Sequence, residues 1–594
     1  MYLSNIKLWN FRKFGSQDFN LDSPNLDLDF QPGLNVLIGE NDSGKTAIVD
    51  AIKLVLKTHS YEWIRYEFND FFEDKNRFRI ELLFKNLSDE EAKNFTEVLG
   101  WHEEKGNKFP YLRLILDVSR NEDRVLPSDV KAGVDDEGYQ LSAESKEYLK
   151  ATYLKPLRDA ESELIAKRNS RISQILQGDD AFKNVGNEHI LVFIFESLGK
   201  DLIDYFSGEY TYTETDDETG EETDVTPQEG KAIKNRIDDY VKSFFSKNYE
   251  VEFETVQNNL KSILEKISLT LFNDKNPGLG TLNRLFMAAE LLHLDKPNWD
   301  GIRLGLIEEL EAHLHPQAQM KVIERLNMID KIQLILTTHS PNLASKVLLN
   351  DLIICKGSSA FPMGEDFTKL DKEDYKFLEK FLDTTKANLF FAEGVILVEG
   401  WAEEIIIPSI AKHIGLSLTE FGVSVVNVAS TAFLRYSKIF QRQTDQDSPI
   451  IDVPVAVITD LDLKPGEATV KNEDGISAKD LTINAKKEKY NGQNVKTFVS
   501  PEWTLEYCLA KSPSLSKVYE KTLKSVHSGT NWDNVDESLT DKLDKKTLNK
   551  TQIAYLLAQA LEEDILRDER SITIDPEDEM IKYIIDSIKY ACKN

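Results

Sequence analysis

The sequence predicts an α/β protein of several domains, and three observations lead there. The chain has 594 residues, more than a single core organises, so two to four domains are expected. A strand–loop–helix unit stands near its start: apolar residues 33–38 run into Gly39-Glu-Asn41-Asp-Ser43-Gly44-Lys45-Thr46, and residues 47–56 continue as an apolar-faced helix. From Gly394 onward, short apolar strands (394–398, 423–428, 453–459, 495–499) alternate with helical stretches.

The composition narrows the class. A hydrophobic fraction of 41% and a charged fraction of 29% are ordinary for a soluble globular protein. No stretch approaches the roughly eighteen apolar residues of a membrane span, so no membrane partner is expected. Residues 1–12 alternate like a strand and lack the apolar block of a signal peptide. The three cysteines, Cys355, Cys508 and Cys592, are too far apart for a disulfide framework or a zinc spacing, which suits a reducing cytoplasm. A net charge of −30 argues against indiscriminate coating of nucleic acid. Any such binding must use local basic patches and metals that bridge carboxylates to phosphates.

Along the chain, residues 1–160 mix strands and helices. A helical pattern follows at Leu157–Leu164 and at Ile172, Ile175 and Leu176, and again over 230–272. The acidic run 213–224 has almost no apolar group to bury, so a solvent loop is expected there rather than a nucleic-acid mimic or metal trap. Strand-like runs return at 301–307 and 332–337, and a further boundary is expected near 385–392. The resulting division is 1–160, 161–270, 271–390 and 391–594.

The glycine loop is built for phosphates. Gly39 and Gly44 let backbone amides point inward, Asn41 and Ser43 complete the loop, and the following helix adds its positive end. Lys45 reaches the β- and γ-phosphates, and Thr46 ligates Mg²⁺. Much later in the chain, the strand ending in Glu308-Glu309 offers one acid for the metal and one to orient or activate water, although an acidic pair also suits a helix start. The strand 332–337 ends in Thr338-His339-Ser-Pro341, where His339 can contact the γ-phosphate. His313 and His315 alternate like a metal pair, but lack a nearby third ligand and read as a structural turn.

These motifs, together with Asn5–Phe14 and Leu306–Pro316, resemble the ABC-type ATPase head of the RecF/SMC-like group. The resemblance implies ATP as cofactor, with Arg12 beside the nucleotide. It also implies two heads that sandwich ATP against a serine-glycine signature loop. Asn276–Asn283 is the candidate for that loop and departs from the usual pattern; Gly278 and Gly280 also suit a helix-entry turn. Glu308 stands where the group has aspartate. On this reading, 1–160 and 271–390 form the head, and 161–270 is a helical insertion expected to aid dimerisation.

A second acidic set follows. Val395–Val398 is a buried-strand pattern ending in Glu399-Gly400, with Glu403 at i+4 on an opening helix. Val453–Thr459 is another such strand, ending in Asp460-Leu-Asp462, whose aspartates share a crevice if the chain bends there. Four carboxylates can hold Mg²⁺ or Mn²⁺, which activate water and stabilise a leaving oxygen. This arrangement resembles the Toprim domain. Toprim behind an ABC-type head is similar to the OLD (overcoming lysogenization defect) family of ATP-dependent nucleases, to which the Gabija nuclease subunit belongs and to which retron-associated defence proteins are related. The resemblance implies a further metal carboxylate at Glu506 and a phosphate-stabilising lysine at Lys550. It also implies catalytic roles for Glu399 and Asp460 in cleavage and for Glu309 and His339 in ATP hydrolysis, and a role against phage. The expected partners are nucleic acid, with DNA preferred over RNA, further copies of the chain, and a co-encoded defence subunit. The rival readings are a RecF-like DNA clamp that only binds, and a Toprim ribonuclease.

Overall fold

The computed structural model describes residues 1–59, 64–104, 106–122, 124–154, 164–168, 170–177, 179, 181–182, 188–216, 220–244, 251–254, 259–271, 276–295, 301–329, 331–429, 432–443, 449–567 and 570–594. The chain forms two compact units. One comprises Met1–Lys57, Ile64–Ala151 and Leu304–Asn594; the other comprises Thr58–Trp63 and Thr152–Arg303.

The first unit opens with strands β1 (Tyr2–Trp9), β2 (Leu26–Asp29), β3 (Leu34–Ile38), β4 (Arg77–Lys85), β5 (Gly100–Glu104), β6 (Asn107–Ser119), β7 (Lys131–Ala132) and β8 (Tyr139–Gln140). All but β3 form one antiparallel sheet, in the order β2-β1-β4-β6-β7-β8, with β5 on β6. Leu3, Ile6, Leu8, Phe78, Ile80, Leu82, Leu114 and Leu116 are fully buried in it. The charged Arg79 is also buried, and it stays there because Glu81 (2.6 Å) and Asp117 (3.2 Å) neutralise it.

The second unit holds β9 (Thr152–Leu154), a hairpin of β10 (Tyr212–Thr215) and β11 (Glu222–Val225), and the helices Arg171–Gln177, Ile190–Ser207, Glu229–Phe244, Leu260–Leu264 and Leu279–Leu294. Val192, Leu260, Ile263 and Leu264 make a small core, and Arg171 is fixed to Glu290 (Nη2 to Oε2, 2.7 Å). Two expectations are corrected here. The acidic run 213–224 is not wholly a loop: its two ends pair as strands Tyr212–Thr215 and Glu222–Val225, whose threonines and valine favour strand pairing, and Thr213 hydroxyl bonds Asp224 at 3.0 Å, while the described side chains of the run remain in solvent. The stretch 230–272 is not continuously helical, because 251–254 and 268–271 are irregular. Residues 157–163 of the helical pattern lie outside the described residues. Gly278 is the N-cap of helix Leu279–Leu294, so the Asn276–Asn283 segment does form a helix entry.

The first unit then resumes with β12 (Leu304–Ile307), β13 (Gln333–Thr338), β14 (Leu352–Lys356) and β15 (Ser359–Pro362). They join β3 in the order β15-β14-β3-β13-β12, parallel except for β15. Parallel strands covered on both faces need continuous apolar runs, and every residue of β3, β12 and β13 is buried. A separate parallel sheet follows, formed by β16 (Gly394–Val398), β17 (Val423–Asn427), β18 (Val455–Thr459) and β19 (Val495–Val499) in the order β17-β16-β18-β19. Its core takes in helices Trp401–His413, Lys550–Ile565 and Lys582–Ala591. Gly394 must be glycine, since a Cβ there would lie 2.1 Å from the Ala591 carbonyl oxygen. Among the described residues no helix is long and apolar enough to cross a membrane, and all three cysteines are buried and free.

Candidate active sites

Two sites lie at the carboxyl ends of these two parallel sheets, where strand-end side chains converge. The first follows β3. Gly39 has φ +147° and Gly44 φ +98°, and a Cβ on Gly39 would meet the Cys355 carbonyl oxygen at 2.3 Å. The loop and the start of helix Lys45–Leu56 border a cavity of about 580 Å³ lined by Arg12, Asn41, Ser43, Gly44, Lys45, Thr46, Glu309 and His339 among others. Eight residues scattered over more than half the chain thus meet in one space. Lys45 Nζ donates to Gly39 O (2.9 Å), Glu40 O (2.5 Å) and Ser43 Oγ (3.0 Å). Burial in this nest pushes its pKa below the usual lysine value.

The two acids that follow β12 differ in exposure. Glu308 is buried, whereas Glu309 is exposed, with φ +47°, and its N–H donates to Thr337 Oγ1 at 3.0 Å. His339 Nδ1 lies 3.0 Å from Gly39 O. Its position depends on Glu311, whose carboxylate accepts from His339 N (2.6 Å) and Thr338 Oγ1 (2.8 Å). Arg12 sits at the rim, held by Asp50 (2.6 Å) and Asp70 (3.1 Å). His315 is a helix cap: its Nδ1 accepts from Gln317 N at 3.4 Å.

The second site lies between β16 and β18, which are adjacent and parallel, so Glu399 and Asp460 follow neighbouring strand ends. Glu399 Oε1 accepts from Thr459 Oγ1 (2.5 Å) and Asp460 N (3.3 Å). Asp460 Oδ1 accepts from Leu505 N (2.8 Å), at the positive end of helix Leu505–Lys511. Glu506 is buried on that helix, and Lys550 Nζ stands 2.9 Å from its Oε2. Burial, then the neighbouring charges of Glu506 and Glu399, pushes Glu403 up to about 7. Burial and the same carboxylates raise Asp460 well above its usual range. Glu404 points elsewhere, accepting from Asn427 Nδ2 at 3.1 Å. Asp462 has a backbone φ of +62° and a side chain that is 65% exposed; it pairs with Lys486 at 2.6 Å, and its charge still reaches Glu399.

The donor set fits a hard divalent cation. All its ligating atoms are carboxylate oxygens, and their crowding calls for positive charge. Glu506 Oε2 has no well-formed hydrogen bond, only the nearby Lys550 ammonium. Tyr519 and Tyr583 bury hydroxyls without a hydrogen-bond partner, and the charge of Glu506 reaches both phenols. Among the described residues no three His, Cys, Asp or Glu side chains are grouped closely enough to hold a metal ion; Glu399 and Asp460 instead keep the protein donors named above. Sequence reasoning missed the hold of Glu311 on His339 and Thr338, and it missed Thr459, Lys486 and the two tyrosines. Lys486 is one of several lysines on a strongly charged helix, and nothing in the local pattern singles it out.

Residues 1–344 match the family model described as AAA ATPase domain, and residues 390–462 match the one described as Overcoming lysogenization defect protein-like, TOPRIM domain. "Endonuclease GajA" of Bacillus cereus (strain HuB5-5) is 24% identical over 591 residues, spanning 83% of this chain and 81% of that protein. The protein of the same name from Bacillus cereus (strain VD045) is 24% identical over 459 residues, spanning 73% and 72%. "Retron Ec83 probable ATPase" of Escherichia coli is 34% identical over 119 residues, 17% of this chain and 22% of that one. The chain therefore belongs to the AAA ATPase domain family and carries an OLD-like Toprim domain behind the ATPase, the ATPase–Toprim architecture of OLD nucleases.

Proposed function

We propose that this protein is an ATP-binding and ATP-hydrolysing, divalent-metal-dependent endonuclease that cuts DNA in defence against phage. The observation that carries this reading is the convergence of Glu399, Glu403, Asp460 and Glu506 beside Lys550 at the ends of two adjacent parallel strands. A protein that only bound nucleic acid would gain nothing from so much buried negative charge facing phosphate. Bound Mg²⁺ or Mn²⁺ supplies the Lewis acid and activated water that phosphodiester hydrolysis needs. The chain's own groups do the rest. Glu399 and Asp460, fixed by Thr459 and Leu505, hold the strand-end oxygens in place, Glu403 and Glu506 add negative charge behind them, and Lys550 meets charge building on the phosphate. In the ATPase, Lys45 and Thr46 take the phosphates and their metal, Glu309 orients water, and His339 reaches across from β13.

The oligomeric part of the reading is supported by helix Ile190–Ser207, where Ile190, Phe193, Ile194, Leu198 and Leu202 form an apolar ridge, each about half or more exposed. Their i, i+4 spacing suits pairing with the same helix of a second copy. Incubating the purified protein with plasmid, linear DNA and tRNA, with Mg²⁺ or Mn²⁺ and with or without ATP, tests the function. The reading expects metal-dependent cutting of DNA. Cutting of tRNA alone would make it a ribonuclease, and no cutting of any substrate would leave a clamp.

A further inference from the structure

Lys486 is a partly buried positive charge that the two proposed reactions do not use. It lies on helix Ala478–Tyr490, between β18 and β19 in the chain. Its ammonium reaches three oxygens at the end of β18: Asp460 O (2.5 Å), Asp462 Oδ2 (2.6 Å) and Thr459 Oγ1 (3.3 Å). Thr459 passes the contact on, donating its own hydroxyl proton to Glu399 Oε1 at 2.5 Å. The Lys486 side chain is 19% exposed, against 65% for Asp462. The lysine is therefore the inner member of the pair, and Asp462, with its φ of +62°, is turned toward it. Lys550 pairs with Glu506, another carboxylate of the cluster. Two ammonium groups thus contact the cluster, Lys486 at the end of β18 and Lys550 at Glu506.

An ammonium that gathers a carboxylate, a carbonyl and a hydroxyl oxygen has the ligand chemistry of a hard cation. Resting on the nuclease reading above, we propose that Lys486 is a resident cation that competes with a divalent ion for Asp462 and the β18 strand end. It would thereby set how much metal the protein needs. It is a positioning residue, since it acts through Asp462 and Thr459. In this view Asp462 becomes available to a metal only when the lysine lets go, so a high metal concentration is built into the fold as a requirement.

The test measures Mn²⁺ binding to the full-length protein directly, by electron paramagnetic resonance, alongside melting temperature with and without Mn²⁺. Lys486→Met keeps the length of the side chain and removes its charge. It should tighten Mn²⁺ binding roughly tenfold, the scale of removing a like charge a few ångströms away, and enlarge the Mn²⁺-induced rise in melting temperature. Lys486→Arg, which keeps the charge, should stay near the parent protein. Unchanged binding in Lys486→Met, with only a lower melting temperature, would make the lysine a structural strut. Weaker binding would mean that it orients Asp462 for the metal. Either result overturns the proposal. Because binding is read without substrate, a parent protein that binds Mn²⁺ but cuts nothing would sink the nuclease reading and leave this one standing.

Discussion

Lys45 and Glu309 line one cavity, yet their removal should have opposite signatures. Lys45→Ala takes away the charge partner of the phosphates and should weaken ATP binding by roughly tenfold to a hundredfold, the value of a charged hydrogen bond. Glu309→Gln keeps shape but cannot accept a proton, so ATP should still bind while hydrolysis slows by about a hundredfold or more. Equilibrium nucleotide binding and phosphate release separate the two, and undiminished hydrolysis in Glu309→Gln would move the role to Glu308 or Glu311. Glu403 makes a different prediction. Burial and its carboxylate neighbours hold it at about 7 against an ordinary 4.5. Between those values the folded, metal-free protein keeps a proton that the unfolded chain has released, so its stability falls as pH rises through that window. The melting temperature of the metal-free protein should drop from pH 5 to pH 7.5, and less so in Glu403→Gln. Added Mn²⁺ should stabilise more at pH 8 than at pH 5.5, because it binds the ionised form. A melting temperature with the same pH dependence in both proteins would show that Glu403 is not held up.

At the scale of elements, the phosphate loop and the strands ending in Glu308, His339, Glu399 and Asp460 were legible because each is a fully buried parallel strand. Such a strand writes itself as an unbroken apolar run that stops at a polar residue. What was not legible depends on partners distant in sequence. The direction of Asp462 is set by a lysine on the following helix, and the turn at His339 by Glu311 on another strand's exit. The hairpin at 212–225 was hidden because composition speaks of side-chain burial, whereas its pairing is made by the backbone. Helix Lys550–Ile565 ties core to chemistry: its first residue meets Glu506, and Leu557, fully buried, packs in the same core as helix Trp401–His413. Leu557→Ala should cost about 2–5 kcal/mol. Chemical denaturation checks this, and a loss well under 1 kcal/mol would mean that this helix is not part of the cooperative core.

Across the whole molecule, the phosphate loop and the Toprim sheet belong to one compact unit and touch through charged groups. Lys356, ending β14, donates to Glu393 at 2.5 Å, just before β16, and the Glu40 carboxyl of the phosphate loop hydrogen-bonds Glu393 as well. Nucleotide bound at the loop therefore has a short physical route to the start of β16. Phosphodiester hydrolysis is downhill and needs no energy from ATP, so on the proposed function ATP is expected to act by selecting an arrangement, to the extent of its differential affinity for the two. A non-hydrolysable ATP analogue should then change the cleavage rate at least as strongly as ATP does; a response to ATP alone would make turnover itself the driver. The central claim is that the carboxylates at the ends of β16 and β18 do the cutting while the ATPase works apart from them. The most direct measurement is DNA cleavage and ATP hydrolysis, side by side, in Glu399→Ala and Asp460→Ala with Mg²⁺ or Mn²⁺ present. The account predicts that cleavage is abolished in both while ATP hydrolysis stays near the parent rate. Cleavage that persists in both variants would contradict it and place the nuclease centre elsewhere.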